Sequence, residues 1–365
     1  MISFSRIAAP FLTTSKPSPG CITVDVGALA RNWRAANEAS GTATASAVVK
    51  ADGYGLGIGP VVEALHSAGC RHFFVALADE AAALGQAARD ADVYVLNGPM
   101  SGHASAIAAA GFIPVLNDLL QVSQWVAQAK KADRPLPAAI MIDTGMNRLG
   151  LNLTDVQSLA ADTASLALLD IKLVMSHLAC ADDPSSDMNA RQKTFFDEAR
   201  SLLPDAPASL ANSAGLFLGT DYHYDLTRPG VCLYGASPFK TAPAPFEPVV
   251  SVAAEIIQVR DVAADESIGY GATFTATGPM RTATIAAGYA DGIFRTAGNS
   301  AFAVVNGTRV PYVGRVSMDL IVLDISALDA RSVRPGAMVD LIGPGVSVDD
   351  LAHASGTIGY EVLTS

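Results

Sequence analysis

Short apolar runs recur along the first two thirds of the chain, and helix-like patterns separate them. The runs are apolar throughout, which is typical of strands buried on both faces of a parallel sheet. The intervening segments place apolar residues three and four positions apart, which predicts amphipathic helices, for example over 60–68, 118–131 and 189–203. The apolar runs are 45–50, 72–77, 92–97, 112–117, 138–143, 171–177, 208–212 and 230–235.

Eight such runs over about 220 residues predict an α/β fold, a closed (β/α)8 barrel. The pattern leaves an open doubly wound sheet as the alternative, because both folds alternate buried strands with helices.

The pattern changes near residue 243, where a proline-rich linker, 243–248, precedes β-like segments at 249–262, 281–287, 302–305, 308–313, 320–324 and 338–342. Asn306-Gly307 between two of them is a hairpin signal, and one helix is predicted over 348–355. We therefore predict an N-terminal tail over 1–20, the barrel over 21–243 and a mainly β C-terminal domain over 244–365.

Composition narrows the class of partner. The 365 residues are 50% hydrophobic and carry a net charge of -11, with no basic run longer than Lys130-Lys131, so we expect a small substrate and no nucleic-acid partner. No stretch has the length of a membrane span, and residues 1–20 lack a secretory pattern. Four widely spaced cysteines and no metal-ligand spacing indicate a reduced, cytoplasmic protein without a metal site.

Lys50 is the first candidate for chemistry. It ends the apolar run Ala47-Val-Val-Lys50, and a glycine-rich turn, Gly53-Tyr54-Gly55, follows. A poorly hydrated lysine has a larger neutral fraction and can form a Schiff base. A surface lysine at a strand end is the plainer alternative.

Other polar residues follow later strands and are expected at the same rim, where barrel active sites lie. Considered alone, His177 is interpreted as a histidine of the core and Arg228 as a surface ion-pair partner. The expected position of all these residues at one rim favours a functional site instead. These rim residues are Lys50, Arg148, His177, Asn212, Ser213 and Arg228.

Two turns predict a phosphate site. Asn212-Ser-Ala-Gly215 leads into an apolar helix whose first amides can hold an anion, and Arg228-Pro-Gly230 offers the amides of Gly230 or Val231. Tyr54 can reach the same anion. A Schiff-base lysine beside a phosphate cradle implies pyridoxal 5'-phosphate.

With these motifs the chain resembles the alanine racemases, fold type III pyridoxal-phosphate enzymes, over nearly its whole length. The family has a barrel, a C-terminal β domain and a head-to-tail homodimer with shared active sites. The matching stretches are 48–54, 143–150, 176–178, 212–215, 228–230, 234–235, 269–274, 288–292, 314–319 and 359–362.

The resemblance implies two proton-transfer bases, Lys50 and Tyr270 of the partner subunit, acting on opposite faces of the α-carbon. It implies that His177 holds Arg228 in place and that Arg228 donates a hydrogen bond to the ring nitrogen of the cofactor. It also implies that the substrate carboxylate is bound by Arg148 of the same chain together with Met318 of the partner subunit. It places Tyr289, Arg295, Arg315 and Tyr360 at a narrow substrate entry. The implied phosphate ligands are Tyr54, Ser213, Gly230, Val231 and Tyr360.

The implied activity is interconversion of L-alanine and D-alanine, supplying D-alanine for biosynthesis, with a catabolic role left open. The alternatives are a racemase of broader small-amino-acid specificity, a decarboxylase of the same fold, and a non-enzymatic pyridoxal-phosphate carrier. The exposed tyrosine of Gly269-Tyr270-Gly271 argues against a decarboxylase, and residues 249–365 argue against a carrier.

The chain departs from the family pattern at Met141, where many members carry a carbamylated lysine that orients the arginine equivalent to Arg148. A thioether accepts hydrogen bonds only weakly. We therefore expect another acceptor or a bound anion such as chloride beside Arg148. Asp52 and Leu56 also replace the commoner asparagine and histidine.

Overall fold

The computed structural model describes residues 19–100, 102–239, 243 and 245–365. The described chain divides into two compact units. The barrel unit comprises 24–250 and 347–365, and the β unit comprises 251–346 together with the described residues before Val24. Most of the predicted tail, 1–20, lies outside the described residues.

The barrel unit is built on a seven-stranded parallel sheet in which each strand pairs with the next along the chain. An eighth strand, Leu226–Thr227, pairs in parallel with Thr44–Ala45. On its other side the Arg228 amide donates to the Ala211 carbonyl at 2.9 Å, so the sheet curls back on itself as the predicted (β/α)8 barrel. The seven strands are Ala47–Val48, His72–Val75, Asp92–Val95, Ile113–Leu116, Leu136–Met141, Leu169–Met175 and Ala208–Ser209.

The predicted eighth strand was wrong. Residues 230–235 contain the 3-10 turn Val231–Tyr234, and the strand lies earlier, at Leu226–Thr227. Pro229 has no amide to donate to a strand ladder, and Gly230 and Gly235 both leave the strand conformation. The turn is fully buried, so its apolar sequence resembles that of a buried strand.

Helices cover the outside of the sheet, and the helices predicted over 60–68, 118–131 and 189–203 are present with shifted ends. Apolar side chains fill both the barrel interior, with Phe74, Val115 and Leu173, and the layer between sheet and helices, with Trp125 and Phe196. The helices of this unit are Val26–Ala39, Ile58–Ala68, Ala78–Ala83, Ala104–Ala110, Leu119–Ala132, Leu153–Ala161, Thr163–Leu166, Asp187–Arg200, Val348–Ser355 and Gly359–Thr364, with 3-10 turns at Gly85–Ala88, Gly215–Phe217 and Thr220–Tyr222; the short helical segment Lys50–Tyr54 is left-handed from Ala51 on.

The β unit confirms the predicted mainly β architecture. Its larger sheet runs in the order Thr308–Pro311, Phe302–Val305, Met338–Ile342, Val250–Val262, Met280–Ile285 and Ile321–Asp324, with Gly20–Val24 pairing to Val250–Val262. A small pair is formed by Ser267–Ile268 and Phe274–Thr275. Asn306 and Gly307 have φ of 50° and 77°, as the hairpin motif predicts.

The C-terminal segment departs from the predicted domain range of 244–365. Its helices, Val348–Ser355 and Gly359–Thr364, pack within the barrel unit. The Asp349 carboxylate accepts the Ser237 amide at 2.9 Å. A Cβ on Gly55 would lie 2.3 Å from the Leu363 carbonyl oxygen, so the chain after Lys50 touches the last helix backbone to backbone.

This close approach predicts that Gly55→Ala is destabilising. Gly55 has φ of +80°, so alanine there meets both a left-handed backbone and a clash, and the free energy of unfolding should fall by roughly 2–4 kcal/mol. Gly59→Ala is the control, because open space surrounds Gly59 in a helix, and should be neutral or stabilising by less than about 1 kcal/mol. Urea unfolding of both variants gives the comparison; equal stabilities would contradict the contact.

Candidate active site

A cavity of about 800 Å³ opens at the carboxyl ends of the barrel strands, within the barrel unit. The rim residues that the sequence singled out all line it, and the C-terminal helix contributes Tyr360. Val231 is fully buried beside Gly230. The predicted site residues that line the cavity are Lys50, Tyr54, Arg148, His177, Asn212, Ser213, Arg228, Gly230 and Tyr360.

Lys50 follows the strand Ala47–Val48, and the Val49 amide anchors it by donating to the Phe74 carbonyl at 2.9 Å. Burial lowers the pKa of Lys50, the Arg148 cation lowers it further, and Glu80 opposes both effects. The neutral amine is the nucleophilic form. The position of Lys50 therefore favours the form that can attack a carbonyl carbon.

A narrow cradle lies beside Lys50. The Gly230 amide donates to the Ser213 hydroxyl at 2.8 Å, and a Cβ on Gly230 would lie 2.5 Å from the Tyr54 hydroxyl oxygen. Only glycine lets the backbone come this close to Tyr54. Tyr54 stacks on Tyr234 with ring centroids 4.4 Å apart, which fixes its ring. Hydroxyls and a helical turn here can bind an anion.

Asn212 lines the cavity, but its side chain makes hydrogen bonds that stabilise the local fold. Its Oδ1 accepts the Gly215 amide at 2.9 Å, and its Nδ2 donates to the Leu178 carbonyl at 3.3 Å. These bonds start the 3-10 turn Gly215–Phe217 and so hold neighbouring Ser213 in place.

Arg228 is 3% exposed and has only uncharged partners. Its guanidinium donates to the Ser209 hydroxyl, to the Ser176 carbonyl and, at 3.3 Å, to the Leu210 carbonyl. No carboxylate pairs with it within the described residues. Burial lowers the pKa of Arg228 to about 9, which still leaves a cation at neutral pH.

His177 lies 3.5 Å from Arg228, measured from its Nδ1 to a guanidinium nitrogen. A guanidinium only donates, so Nδ1 accepts and the ring proton lies on Nε2. Burial lowers the pKa of His177 to about 3, and Arg228, Arg148 and Lys50 contribute in the same direction. His177 is therefore neutral and receives a hydrogen bond from Arg228.

The loop before Arg148 is organised by Asp143, a residue for which the sequence pattern predicts no role. One Asp143 oxygen accepts the amides of Gly145, Met146 and Asn147 at 3.0–3.1 Å. An aspartate followed by glycine and asparagine was the available signal. Asp143 makes no hydrogen bond or ion pair with Arg148 within the described residues, so its carboxylate holds the loop and does not take the place of the acceptor missing at Met141.

Tyr270, Tyr289 and Met318 belong to the β unit, where their side chains are 72%, 43% and 58% exposed. Tyr270 begins a 3-10 turn that follows Gly269, whose φ is +75°. Tyr289 lies beside the Met318 segment, because the Tyr289 amide donates to the Ser317 carbonyl at 3.0 Å.

The neutral His177, half-buried in the cavity wall, predicts an acid-sensitive fold. Between about pH 6.5 and about 3 the unfolded chain takes up a proton on His177 that the folded protein excludes. Stability is therefore retained above pH 6.5 and lost as the pH falls, by about 1.4 kcal/mol per pH unit from this group.

Replacing His177 with Gln keeps a hydrogen-bond acceptor for Arg228 and removes the titrating ring. The pH slope of the unfolding free energy between pH 6.5 and 4 should therefore flatten. His353→Gln, at an exposed position of the helix Val348–Ser355, is the control. An unchanged slope in the His177 variant would show that another group causes the acid sensitivity.

Both parts of the chain are similar to domains of known proteins. Residues 24–238 match the model of the alanine racemase N-terminal domain, and residues 249–365 match that of the alanine racemase C-terminal domain. Within the described residues, no helix has the length and apolar character needed to cross a membrane.

Curated relatives and solved structures match nearly the whole chain. A catabolic alanine racemase of Mesorhizobium japonicum is 47% identical over 96% of this chain and 92% of its own length. An alanine racemase of Methylobacterium nodulans is 46% identical, over 97% and 95%.

The crystal structure of an alanine racemase from Bartonella henselae, with covalently bound pyridoxal phosphate, superposes with a TM-score of 0.91. It is 37% identical, over 95% of this chain and 97% of that one. Together with the two domain matches, these similarities show that the chain belongs to the alanine racemase family.

Proposed function

We propose that this protein is a pyridoxal-phosphate-dependent racemase that interconverts L-alanine and D-alanine. The observation that carries the proposal is the convergence, in one cavity, of the desolvated Lys50 amine, the Ser213–Gly230 cradle and the buried Arg228 cation. The relatives named above as alanine racemases make alanine the expected substrate.

The residues of the cavity fit the cofactor. The cradle that a Cβ on Gly230 would fill suits a phosphate group, with Tyr54, Ser213 and the Gly230 and Val231 amides as ligands and Tyr360 at the rim. Pyridoxal phosphate, when bound, supplies an aldehyde carbon for amines and an electron sink that acidifies the α-proton of the substrate. Lys50 is the amine that holds it covalently.

Arg228 is assigned to the ring nitrogen of the cofactor. Because an arginine only donates, it leaves that nitrogen unprotonated and restrains electron withdrawal by the ring, which favours proton exchange over side reactions. Neutral His177 helps to position Arg228 by accepting one of its hydrogen bonds. Asn212 keeps Ser213 in position.

Racemisation needs a base on each face of the α-carbon, because a proton returned to the face it left restores the same enantiomer. We assign one face to Lys50 and the other to Tyr270 of the partner subunit. Arg148 and the partner's Met318 receive the substrate carboxylate, and the partner's Tyr289 narrows the entry.

The two bases should respond differently to mutation. Tyr270→Phe should lower racemisation by about 100- to 10,000-fold, the usual contribution of a general base. Exchange of the α-proton for deuterium should then persist mainly with D-alanine, on which Lys50 acts. Rates measured on each enantiomer in heavy water give the test, with Tyr222→Phe as control. Equal loss of exchange with both enantiomers would show that Tyr270 only shapes the pocket and does not act as a base.

We further propose a homodimer with shared sites. Lys50 belongs to the barrel unit, whereas Tyr270 and Met318 belong to the β unit. The large side chains of Tyr270 and Met318 are exposed in the single chain, as expected of residues that a partner subunit would cover. The proposed location is the cytoplasm, since all four cysteines are free thiols.

Complementation tests the dimer. Lys50→Ala and Tyr270→Ala variants should each be inactive, and mixing them under conditions of subunit exchange should restore about a quarter of the sites, because half the dimers are mixed and each has one intact site. Co-purification of two differently tagged variants verifies exchange. Proven exchange without recovered activity would place both bases in one chain.

Arg148 should depend on an added anion. It is exposed, Met141 offers only a weak thioether acceptor, and within the described residues no hydrogen bond or ion pair joins Arg148 to Asp143. Removing chloride should raise the KM for alanine by roughly tenfold or more, since a charge-assisted contact is lost. Removing dissolved carbon dioxide should have no effect.

The matched variant is Met141→Lys, which restores the residue that many family members carry and should bring a bicarbonate response. A bicarbonate requirement in the unmodified protein would show that a different lysine is carbamylated.

Substrate panels separate the remaining activities. Racemisation of serine or other small amino acids at rates near that of alanine would indicate the broader racemase, and carbon dioxide release would indicate the decarboxylase. Cofactor binding without turnover of either alanine enantiomer would indicate the carrier.

A further inference from the structure

The chain leaves Lys50 through a left-handed turn. Five successive residues, 51–55, have φ between 55° and 80°, and three of them, Ala51, Asp52 and Tyr54, are not glycine. Each such residue costs about 1–2 kcal/mol in this conformation. Other contacts must therefore hold the turn, and its first residue directly follows the reactive lysine.

The Glu80 carboxylate bridges this turn to the neighbouring strand. One oxygen accepts the Ala51 amide at 2.8 Å, and the other accepts the amides of Ala76 and Leu77 at 2.7 and 3.2 Å. Ala76 and Leu77 follow the strand His72–Val75, which pairs with the strand that ends before Lys50. Glu80 thus connects the carboxyl ends of two adjacent barrel strands.

We propose that Glu80 is a positioning residue, which fixes the peptide between Lys50 and Ala51 and thereby directs the Lys50 side chain into the cavity. The Val49 amide secures the chain before Lys50 by its bond to the Phe74 carbonyl, and Glu80 secures the chain after it. Both bonds run to the same neighbouring strand and the residues that follow it, so Lys50 is held between two fixed points.

The chemistry of the side chain matters because its two oxygens serve different segments. Glutamine has one oxygen, and its amide nitrogen cannot accept a hydrogen bond. Glu80→Gln must therefore give up either the Ala51 contact or the Ala76–Leu77 contact. Asp79 carries the same charge in the same first helical turn, so Asp79→Asn is the matched control.

This inference rests on the proposed function, in which Lys50 attaches pyridoxal phosphate. The test strips the full-length protein of cofactor, adds pyridoxal phosphate back, traps the adduct with borohydride at timed intervals and maps the labelled peptide. Glu80→Ala and Glu80→Gln should slow attachment at Lys50 by about tenfold, the effect of losing one charge-assisted hydrogen bond. Asp79→Asn should attach at the unmodified rate.

A rescue variant separates geometry from general damage. Glycine adopts positive φ without a Cβ penalty, so adding Ala51→Gly to Glu80→Ala should recover most of the lost attachment rate. Thermal unfolding of each variant verifies the fold. Unchanged attachment in both Glu80 variants, or a loss that Ala51→Gly leaves uncorrected in a folded protein, would overturn the positioning role.

A second readout distinguishes charge from position. The charged groups that act on the Lys50 amine are Arg148, which lowers its pKa, and Glu80, which raises it. If Glu80 acted only through its charge, the pH dependence of Lys50 labelling by a small amine-reactive reagent would shift in both Glu80 variants, and adding Ala51→Gly would not restore the attachment rate. That combination of results would contradict the proposal. Failure of the unmodified protein to attach the cofactor at Lys50 would instead refute the proposed function.

Discussion

The Arg228 guanidinium is a buried cation surrounded by uncharged acceptors, and the chemistry of the cavity depends on it. Burying an unpaired charge is costly unless hydrogen bonds compensate, and the compensation comes from Ser176, Ser209 and Leu210, at the ends of the sixth and seventh strands. The barrel must close for these groups to meet. The same cation, with desolvation, keeps His177 neutral.

Close backbone approach is the second constraint on the site. At Gly230 a Cβ would meet the Tyr54 hydroxyl, and at Gly55 it would meet the last helix at Leu363. The chain reaches Gly55 from Lys50 through the left-handed turn 51–55. Glu80 and Asp143, two carboxylates bound to backbone amides, hold the loops that carry Lys50 and Arg148.

In the proposed reaction the two units contribute different residues. The barrel unit holds the lysine, the phosphate cradle and the two arginines, and it includes the C-terminal helix with Tyr360. The β unit presents Tyr270, Tyr289 and Met318 as exposed side chains. In the proposed dimer, those side chains would lose their exposure by completing the site of the other chain.

The sequence by itself determined the alternation of buried strands and helices, the change to β structure near residue 243, and the Asn306-Gly307 hairpin, because periodicity and turn chemistry are local properties. It also identified Lys50, His177, Ser213 and Arg228 as rim residues, since the carboxyl ends of barrel strands share one edge. The family motifs added Tyr270 and Met318, which the pattern alone would not select.

Tertiary structure decided what depends on residues distant in the chain. The eighth strand lies at Leu226–Thr227 because pairing with Thr44–Ala45 selects it, whereas the apolar turn Val231–Tyr234 looks equally strand-like in sequence. The last helices belong to the barrel unit through contacts such as Asp349 to Ser237. The role of Glu80 was equally hidden, because its carboxylate meets the Ala51 amide 29 residues away, and no local pattern encodes that distance.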